Sequence, residues 1–460
     1  MDSLLLPVGL LGAFLLAIAA TRMKPSTRLV IAAVLCVPQI FYKAPVPLAG
    51  AWILVIGLSA ILESTKKVER LRSATFGIAI LLLIAMLLSL MWAIDDREGQ
   101  GKTLRMAMFA ILLWYALRVG RESRSSLDKA VIWSAPLLMA HAIITIIFRV
   151  SPDIEEAFLK SSAGALLVGG SAADLFSGIV ALRNNVLDPE KAGGLFVNGN
   201  TASMFMGVGG VACLLVWQRT KRRSMLLASL VTFAGVIGTG SKTGLALVIM
   251  LPLAAVLLDR LSRRGYGVFI PLLALFFATW VVSGGAEATL NQLFPVYAEK
   301  SALSLDSRQQ IWSTAWLLFK ENPMLGLGFG GWLATASQYL GTTRYPPHNT
   351  VLQAWADSGG IAALLTIVFI FVALATAYRA MTAQTTDRGR RSAALCLVGV
   401  AWPLIHGMGD NTTIFGDPHS MALMAVMIGY SVSYLRQPEH KRPDVNAGRA
   451  PSNELQGVVS

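Results

Sequence analysis

Apolar runs of about 15 to 25 residues recur along this chain from one terminus almost to the other, and they limit its fold more than any other feature. They lie near 4–20, 29–42, 48–62, 73–94, 104–117, 130–148, 194–217, 225–238, 243–258, 266–283, 350–378, 392–414 and 420–435. A helix needs about 20 apolar residues to cross a bilayer, and backbone in hydrocarbon must satisfy its hydrogen bonds within the segment. The runs predict an all-α fold, a polytopic helical membrane protein with about 12–13 transmembrane helices. The remaining composition agrees: of 460 residues, 55% are hydrophobic and 14% charged. A soluble single-core enzyme, a disordered scaffold and a disulfide-rich secreted protein are excluded, because none could solvate so much apolar area.

The formal charge of +13 is distributed by position. Connections that alternate along the chain are basic: Arg22 to Arg28, Lys66 to Arg72, Arg118 to Lys129, Arg219 to Arg223, Arg260 to Arg264, Arg379 to Arg391, and the tail from Arg436 to Arg449. Assigning these to the cytoplasm places 26 of 39 basic residues inside with 9 of 26 acidic ones, about +17 against about −4 outside. The basicity therefore reflects topology. A nucleic-acid partner would need cations and stacking aromatics gathered in one soluble module, which the chain lacks. Strict alternation over thirteen runs puts the N-terminus outside and the C-terminus inside. Twelve spans with both ends inside follow if one of the first three runs, where Tyr42 to Pro47 intervenes, does not cross.

The chain divides into N-terminal transmembrane helices over 1–148, a long outer loop over 149–193 and central helices over 194–283. A second long outer loop over 284–349, C-terminal helices over 350–436 and a disordered inner tail over 437–460 complete it. The first run is not read as a signal peptide, because its basic residues follow it instead of preceding it. Cys36, Cys213 and Cys396 each sit in an apolar run and read as small packing residues. No repeat suggests two related halves. A transporter would place functional charges near the bilayer midplane and keep its loops short; here the distinctive residues are in long outer loops, where function concentrates.

In the second loop, Arg308 to Lys320 sets Ile311, Trp312, Ala315, Trp316 and Phe319 on one helical face. That pattern suits either a helix lying at the membrane surface or one packing on the bundle. The helix should end at Asn322-Pro323, after which Gly326, Gly328, Gly330 and Gly331 let the chain turn tightly or pass close to a ligand. As a phosphate loop this stretch is weak, since no strand precedes it and no Lys-Ser/Thr ends it.

The ordered set Asp306-Ser307-Arg308, Ile311-Trp312, Asn322-Pro323, Gly326 to Gly330, Pro347-His348-Asn349 and Asp357-Ser358-Gly359-Gly360 resembles the shared region of the O-antigen ligase and polysaccharide polymerase family. Gly193 to Met204 and Gly238 to Gly244 match the family's habit as well. The resemblance spans roughly Gly193 to Ile361 and implies a glycosyltransferase at the periplasmic face of the bacterial inner membrane. Its donor would be a glycan on undecaprenyl pyrophosphate. The acceptor would be lipid A-core for a ligase or another lipid-linked chain for an O-antigen or exopolysaccharide polymerase. No cofactor is implied.

The residues suit that chemistry. A pyrophosphate leaving group needs cations, and an acceptor hydroxyl needs a base. Arg308 offers a bidentate fork for phosphate, Lys242 a point charge beside a helix end where the family usually has arginine, and Arg183 a further cation. His348 is the candidate base. Asn349 is a secondary candidate, as are Asn198 and Asn200, which could equally cap a helix beginning near Thr201. His406 and Asp410 lie near an outer helix end with His419 close by, whereas His141 reads as a satisfied bundle histidine. The acidic clusters Asp95-Asp96 and Asp153 to Glu156 lack metal-ligand spacing, so no metal is expected.

Overall fold

The apolar runs form helices because only a helix satisfies its own backbone without water. A computed structural model of the protein describes residues 2–40, 47–64, 73–93, 96–168, 190–266, 292, 295–340, 346–410 and 413–439. It is 83% helical and has no strands among the described residues, which establishes the all-α class. The N-terminal group comprises α1 (Asp2–Thr21), α2 (Pro25–Cys36), α3 (Leu48–Ser64), α4 (Ala74–Ser89), α5 (Asp96–Glu122) and α6 (Arg124–Val150). Two short helices, α7 (Pro152–Leu159) and α8 (Ser162–Val168), open the first long connection. The central group is α9 (Gly199–Thr220), α10 (Arg223–Gly238) and α11 (Lys242–Arg263). The second long connection carries α12 (Pro295–Glu321) and α13 (Gly331–Leu340), and the C-terminal group is α14 (Thr350–Thr382), α15 (Asp387–His406) and α16 (Met421–Arg436).

Among the described residues six helices are long and apolar enough to cross a membrane, and five shorter apolar ones accompany them, so the chain is a membrane-embedded protein. The apolar run near 266–283, most of the Tyr42 to Pro47 stretch, Asp95 and the tail beyond 439 lie outside the described residues. Helix α9 is central: 83% of its most apolar window is buried inside the protein, against 22% for α11. The small residues of α9 allow this. A Cβ at Gly207 would lie 1.9 Å from the indole of Trp402 on α15. The three cysteines are free and buried, as their apolar surroundings suggest.

Charged residues at the basic connections pair across helices, as burial demands. Arg28 bonds Ser59 at 3.1 Å and Tyr115 at 2.9 Å and pairs with Glu63, which also takes Arg118 at 3.0 Å. Arg219 grips Asp128 through two nitrogens, at 3.0 and 3.3 Å, and the Tyr430 hydroxyl donates to the same carboxylate at 2.6 Å. Asp259 accepts from Arg390 at 2.7 Å, and Asp387 from Arg263 at 2.8 Å. Residues from the ends of α3, α5, α11 and α15 thus meet at one end of the bundle, as the alternating charge pattern requires. The motif residues gather at the other.

Candidate active site

The glycine-rich turn after α12 is seated on a kink in α14. Gly359 has φ 84° and ψ −175°, which breaks the helix within its length. Around it the Gly360 N–H donates to the Met324 carbonyl at 2.9 Å and the Leu327 N–H to the Ala356 carbonyl at 3.3 Å. A Cβ on Gly359 would lie 2.1 Å from the Met324 oxygen, and one on Gly326, at φ 67°, 2.3 Å from the Trp355 oxygen. The two glycine motifs therefore answer each other, and at these positions the close approach is to protein backbone. The Trp355 indole donates to the Pro323 carbonyl at 3.2 Å, and that of Trp92 to the Leu325 carbonyl at 3.0 Å. Beneath the kink, Lys102 of α5 holds the buried carboxylate of Asp357 at 3.0 and 3.3 Å, with Gln353 donating to it at 2.7 Å.

Helix α12 begins at Pro295, well before the expected start, so Arg308 lies inside a helix and not at its N-terminus. The side chain of Asp306, two residues before it in the motif, is outside the described residues. The face packed inward is Ile311, Ala315 and Leu318, against Leu327, Trp332 and Trp355. Trp312 and Trp316 are 38% and 57% exposed, so the expected stripe is divided: its aliphatic members pack and its tryptophans face outward. Trp312 has a second task. Its indole donates to the Pro347 carbonyl at 3.0 Å, tying the Arg308 helix to the segment that carries His348.

That segment is fixed on its other side too. Asn349 caps α14, accepting from the Val351 and Leu352 N–H groups at 2.9 and 3.1 Å, and donates its amide to the Met408 carbonyl at 3.0 Å. The N–H and hydroxyl of Thr350 both reach the Gly407 carbonyl, at 2.8 and 2.9 Å, covering the C-terminus of α15. This staple lays His348 beside Asp410. His348 Nδ1 is 3.7 Å from one carboxylate oxygen, and His406 Nδ1 is 3.8 Å from the other. The Arg308 guanidinium is close enough for its charge to act on His406. Four expected residues, Arg308, His348, His406 and Asp410, are thus brought together.

A second group lies on separate loops at the same end of the bundle. Asn198 caps α9, accepting from the N–H groups of Asn200 at 2.9 Å and Thr201 at 3.1 Å. Asn200 accepts from the Ser241 hydroxyl at 2.8 Å, and Ser241 caps α11, whose first residue is Lys242. Phe196 is sandwiched between the rings of His141, at 4.2 Å, and His419, at 3.7 Å, and His419 Nδ1 is 2.8 Å from Asp417. His141 is held by this stacking, and among the described residues neither of its ring nitrogens has a hydrogen-bond partner. Trp402 meeting Gly207 sets the C-terminal part of α15 against the N-terminal half of α9, which puts both groups at one end. Arg183 lies outside the described residues.

Sequence reasoning missed Lys102 and Asp417. Lys102 falls just inside the apolar part of α5, Gly99–Glu122, where a cation needs a partner, and that was a usable signal. Asp417-Pro418-His419 carried a weaker one.

The assembly offers a guanidinium on a rigid helix, a histidine backed by a carboxylate and a lysine at a helix N-terminus. These groups can hold an anion and move a proton. A comparison with curated proteins finds no match. Residues 227–367 match the family described as O-antigen ligase. That span runs from α10 into α14 and contains Lys242, Arg308, the glycine turn and His348, while Asn198, His406 and Asp410 complete the site from outside it. Over these residues the chain is similar to the O-antigen ligase family.

Proposed function

We propose that the protein is an O-antigen ligase of the bacterial inner membrane, moving a glycan from undecaprenyl pyrophosphate to lipid A-core at the periplasmic face. The observation that carries this reading is the pair of ties, Trp312 to Pro347 and Thr350 to Gly407, that draw Arg308, His348 and Asp410 into one place. Arg308, with Lys242 and Arg183, holds the pyrophosphate. The acceptor hydroxyl oxygen attacks the anomeric carbon, and the bond from that carbon to the pyrophosphate oxygen breaks with its electron pair left on the undecaprenyl pyrophosphate. Arg308 offsets the charge that develops there. The hydroxyl proton passes to His348. Because Nδ1 is turned toward Asp410, Nε2 is the nitrogen assigned to receive it, and Asp410 stabilises the imidazolium that forms. At 3.7 Å the His348–Asp410 contact is longer than a hydrogen bond, and substrate binding is expected to tighten it.

Transfer by purified protein from lipid-linked glycan to lipid A-core tests the roles. His348→Ala should keep donor affinity and lower turnover about 100-fold or more. Arg308→Lys, which keeps charge without the fork, should lower activity about 10-fold to 1000-fold, and Arg308→Ala further. Lys242→Arg should be tolerated and Lys242→Ala should weaken donor binding. A His348→Ala protein as active as the parent would refute the assignment. In cells, deletion should abolish surface glycan while long lipid-linked chains accumulate; single repeat units left in place would make the protein a polymerase.

A further inference from the structure

At the basic end of the bundle the last turns of α5 and α16 border an open cleft of about 540 Å³, whose lining includes Arg118, Arg121, Arg436, Glu122, Ser433 and Gln437. Three guanidinium groups line it with the Glu122 carboxylate, Arg118 being also paired with Glu63 at 3.0 Å from outside the lining, and a cleft of this size falls within the range that holds small-molecule ligands. Its wall is fixed. The Gln437 side chain donates to the Arg121 carbonyl at 3.3 Å, Arg124 Nε donates to the Ser433 hydroxyl at 3.2 Å, and the Arg124 guanidinium stacks over Tyr434 at 4.0 Å. Nearby, Arg118 lies over the Trp114 ring at 5.3 Å, an aromatic placement common at the membrane interface.

Arginines near helix C-termini also complement the helix dipole, and that alone would account for their presence. It would not account for three of them lining one cleft together with a serine hydroxyl and a glutamine amide, which are donors suited to phosphate oxygens. The cleft is far from the candidate active site: α5 runs 27 residues from the glycine turn to this end, about 40 Å at roughly 1.5 Å per residue. We propose that it binds the phosphate of an anionic phospholipid headgroup, with the lipid's acyl chains lying against the neighbouring helices. Basic pockets between membrane helices at the cytoplasmic side are suited to such headgroups. Binding here would hold whatever chemistry the opposite end performs.

The test is lipid binding by the purified full chain in non-ionic detergent, with bound lipid counted by native mass spectrometry during titration with phosphatidylglycerol, phosphatidylcholine or inorganic phosphate. Phosphatidylglycerol should bind about 30-fold more tightly than phosphatidylcholine, the effect of about two basic residues at a charged membrane surface, and Arg121→Gln/Arg436→Gln should abolish the preference. Should the double variant fail to fold, Arg436→Gln alone, at an exposed helix end, should reduce the preference to about fivefold. Equal binding of the two lipids by the parent, or a preference that survives these substitutions, overturns the proposal. Inorganic phosphate that competes as well as phosphatidylglycerol at equal phosphate concentration overturns it too, because the site would then take a free anion and no lipid.

Discussion

Gly359→Ala should damage this protein far more than a methyl group added at an ordinary helical glycine, and the structure gives the magnitude. Gly359 has φ 84° and ψ −175°, a conformation open almost only to glycine, so a side chain there costs about 1–3 kcal/mol in backbone strain. The new Cβ would also lie 2.1 Å from the Met324 oxygen and 2.7 Å from the Leu325 carbonyl carbon. Both are backbone atoms, so the turn itself must shift, at about 1–3 kcal/mol for overpacking. The sum is about 2–6 kcal/mol. Gly77 in α4 supplies the opposite case, because a Cβ there meets nothing within 4 Å. Gly77→Ala should stabilise by about 0.5–1 kcal/mol through helix propensity. The assay is apparent melting of both variants in detergent at one scan rate, followed by transfer activity at a temperature where each is folded. Gly359→Ala should melt lower than the parent and Gly77→Ala slightly higher. Since the kink seats the turn that follows the Arg308 helix, Gly359→Ala should also lose activity while folded. Equal melting of Gly359→Ala and the parent would refute the account of the kink.

Lys102→Met leaves the Asp357 carboxylate, 1% exposed, buried without its cation, and should destabilise by about 3–5 kcal/mol. Adding Asp357→Asn should restore part of the loss, and undiminished thermal stability of Lys102→Met would show that the pair anchors nothing. Asn198→Asp should keep the cap on α9, leaving melting within about 0.5 kcal/mol of the parent, yet weaken donor binding by placing a carboxylate beside the pyrophosphate; unchanged donor affinity would remove α9 from the site. Cysteines at Ser304 and Thr342 should react with an impermeant thiol reagent added to intact cells and one at Thr385 should not; labelling at Thr385 would reverse the orientation. Transfer should persist in excess EDTA, and loss with rescue by Mg²⁺ or Mn²⁺ would require a metal the proposed mechanism omits.

The helices were legible because membrane burial writes itself into composition: a span must be apolar along its whole length. The charge pattern was legible for the same reason, and the structure does gather Glu63, Arg118, Asp128 and Arg219 at one end. Which of them pair was not legible, since Arg28 and Glu63, or Arg219 and Asp128, meet only after helices distant in sequence have packed. The candidate site divides similarly. His348, Arg308, His406 and Asp410 were visible as residue types in polar motifs, but the bonds that join them are not periodic features. The tie from Trp312 to Pro347 spans 35 residues and that from Thr350 to Gly407 spans 57, each using a backbone carbonyl that any residue could supply. The glycines show the limit most clearly. A positive φ was foreseeable at Gly326; that the space it opens is filled by the carbonyl of Trp355 and not by a ligand follows only from the packing of α14.

The two site-bearing segments share a local device that explains why asparagine occurs in both. Val197 and His348 adopt positive φ, at 61° and 51°, and each is followed by an asparagine that caps a helix, Asn198 for α9 and Asn349 for α14. A side chain in that conformation costs roughly 1–2 kcal/mol, and for a β-branched valine the conformation is a true outlier. A cap contributes about 1 kcal/mol, so capping offsets much of the strain. Ser241 caps α11 at the same end, and none of the three helices has an acidic residue in its first turn. At the basic end α2, α4, α6 and α10 also start without an acidic residue in the first turn, and α15 differs from them, with Asp387 directly after its cap, Thr386. With neutral caps, the N-termini of α9, α11 and α14 each keep the equivalent of about half a positive charge, which under the proposed function would add to the field of Arg308 and Lys242 on a pyrophosphate. Thr350 meanwhile covers the Gly407 carbonyl at the negative end of α15, so the opposing dipole nearest His348 is masked by the same segment that delivers the histidine.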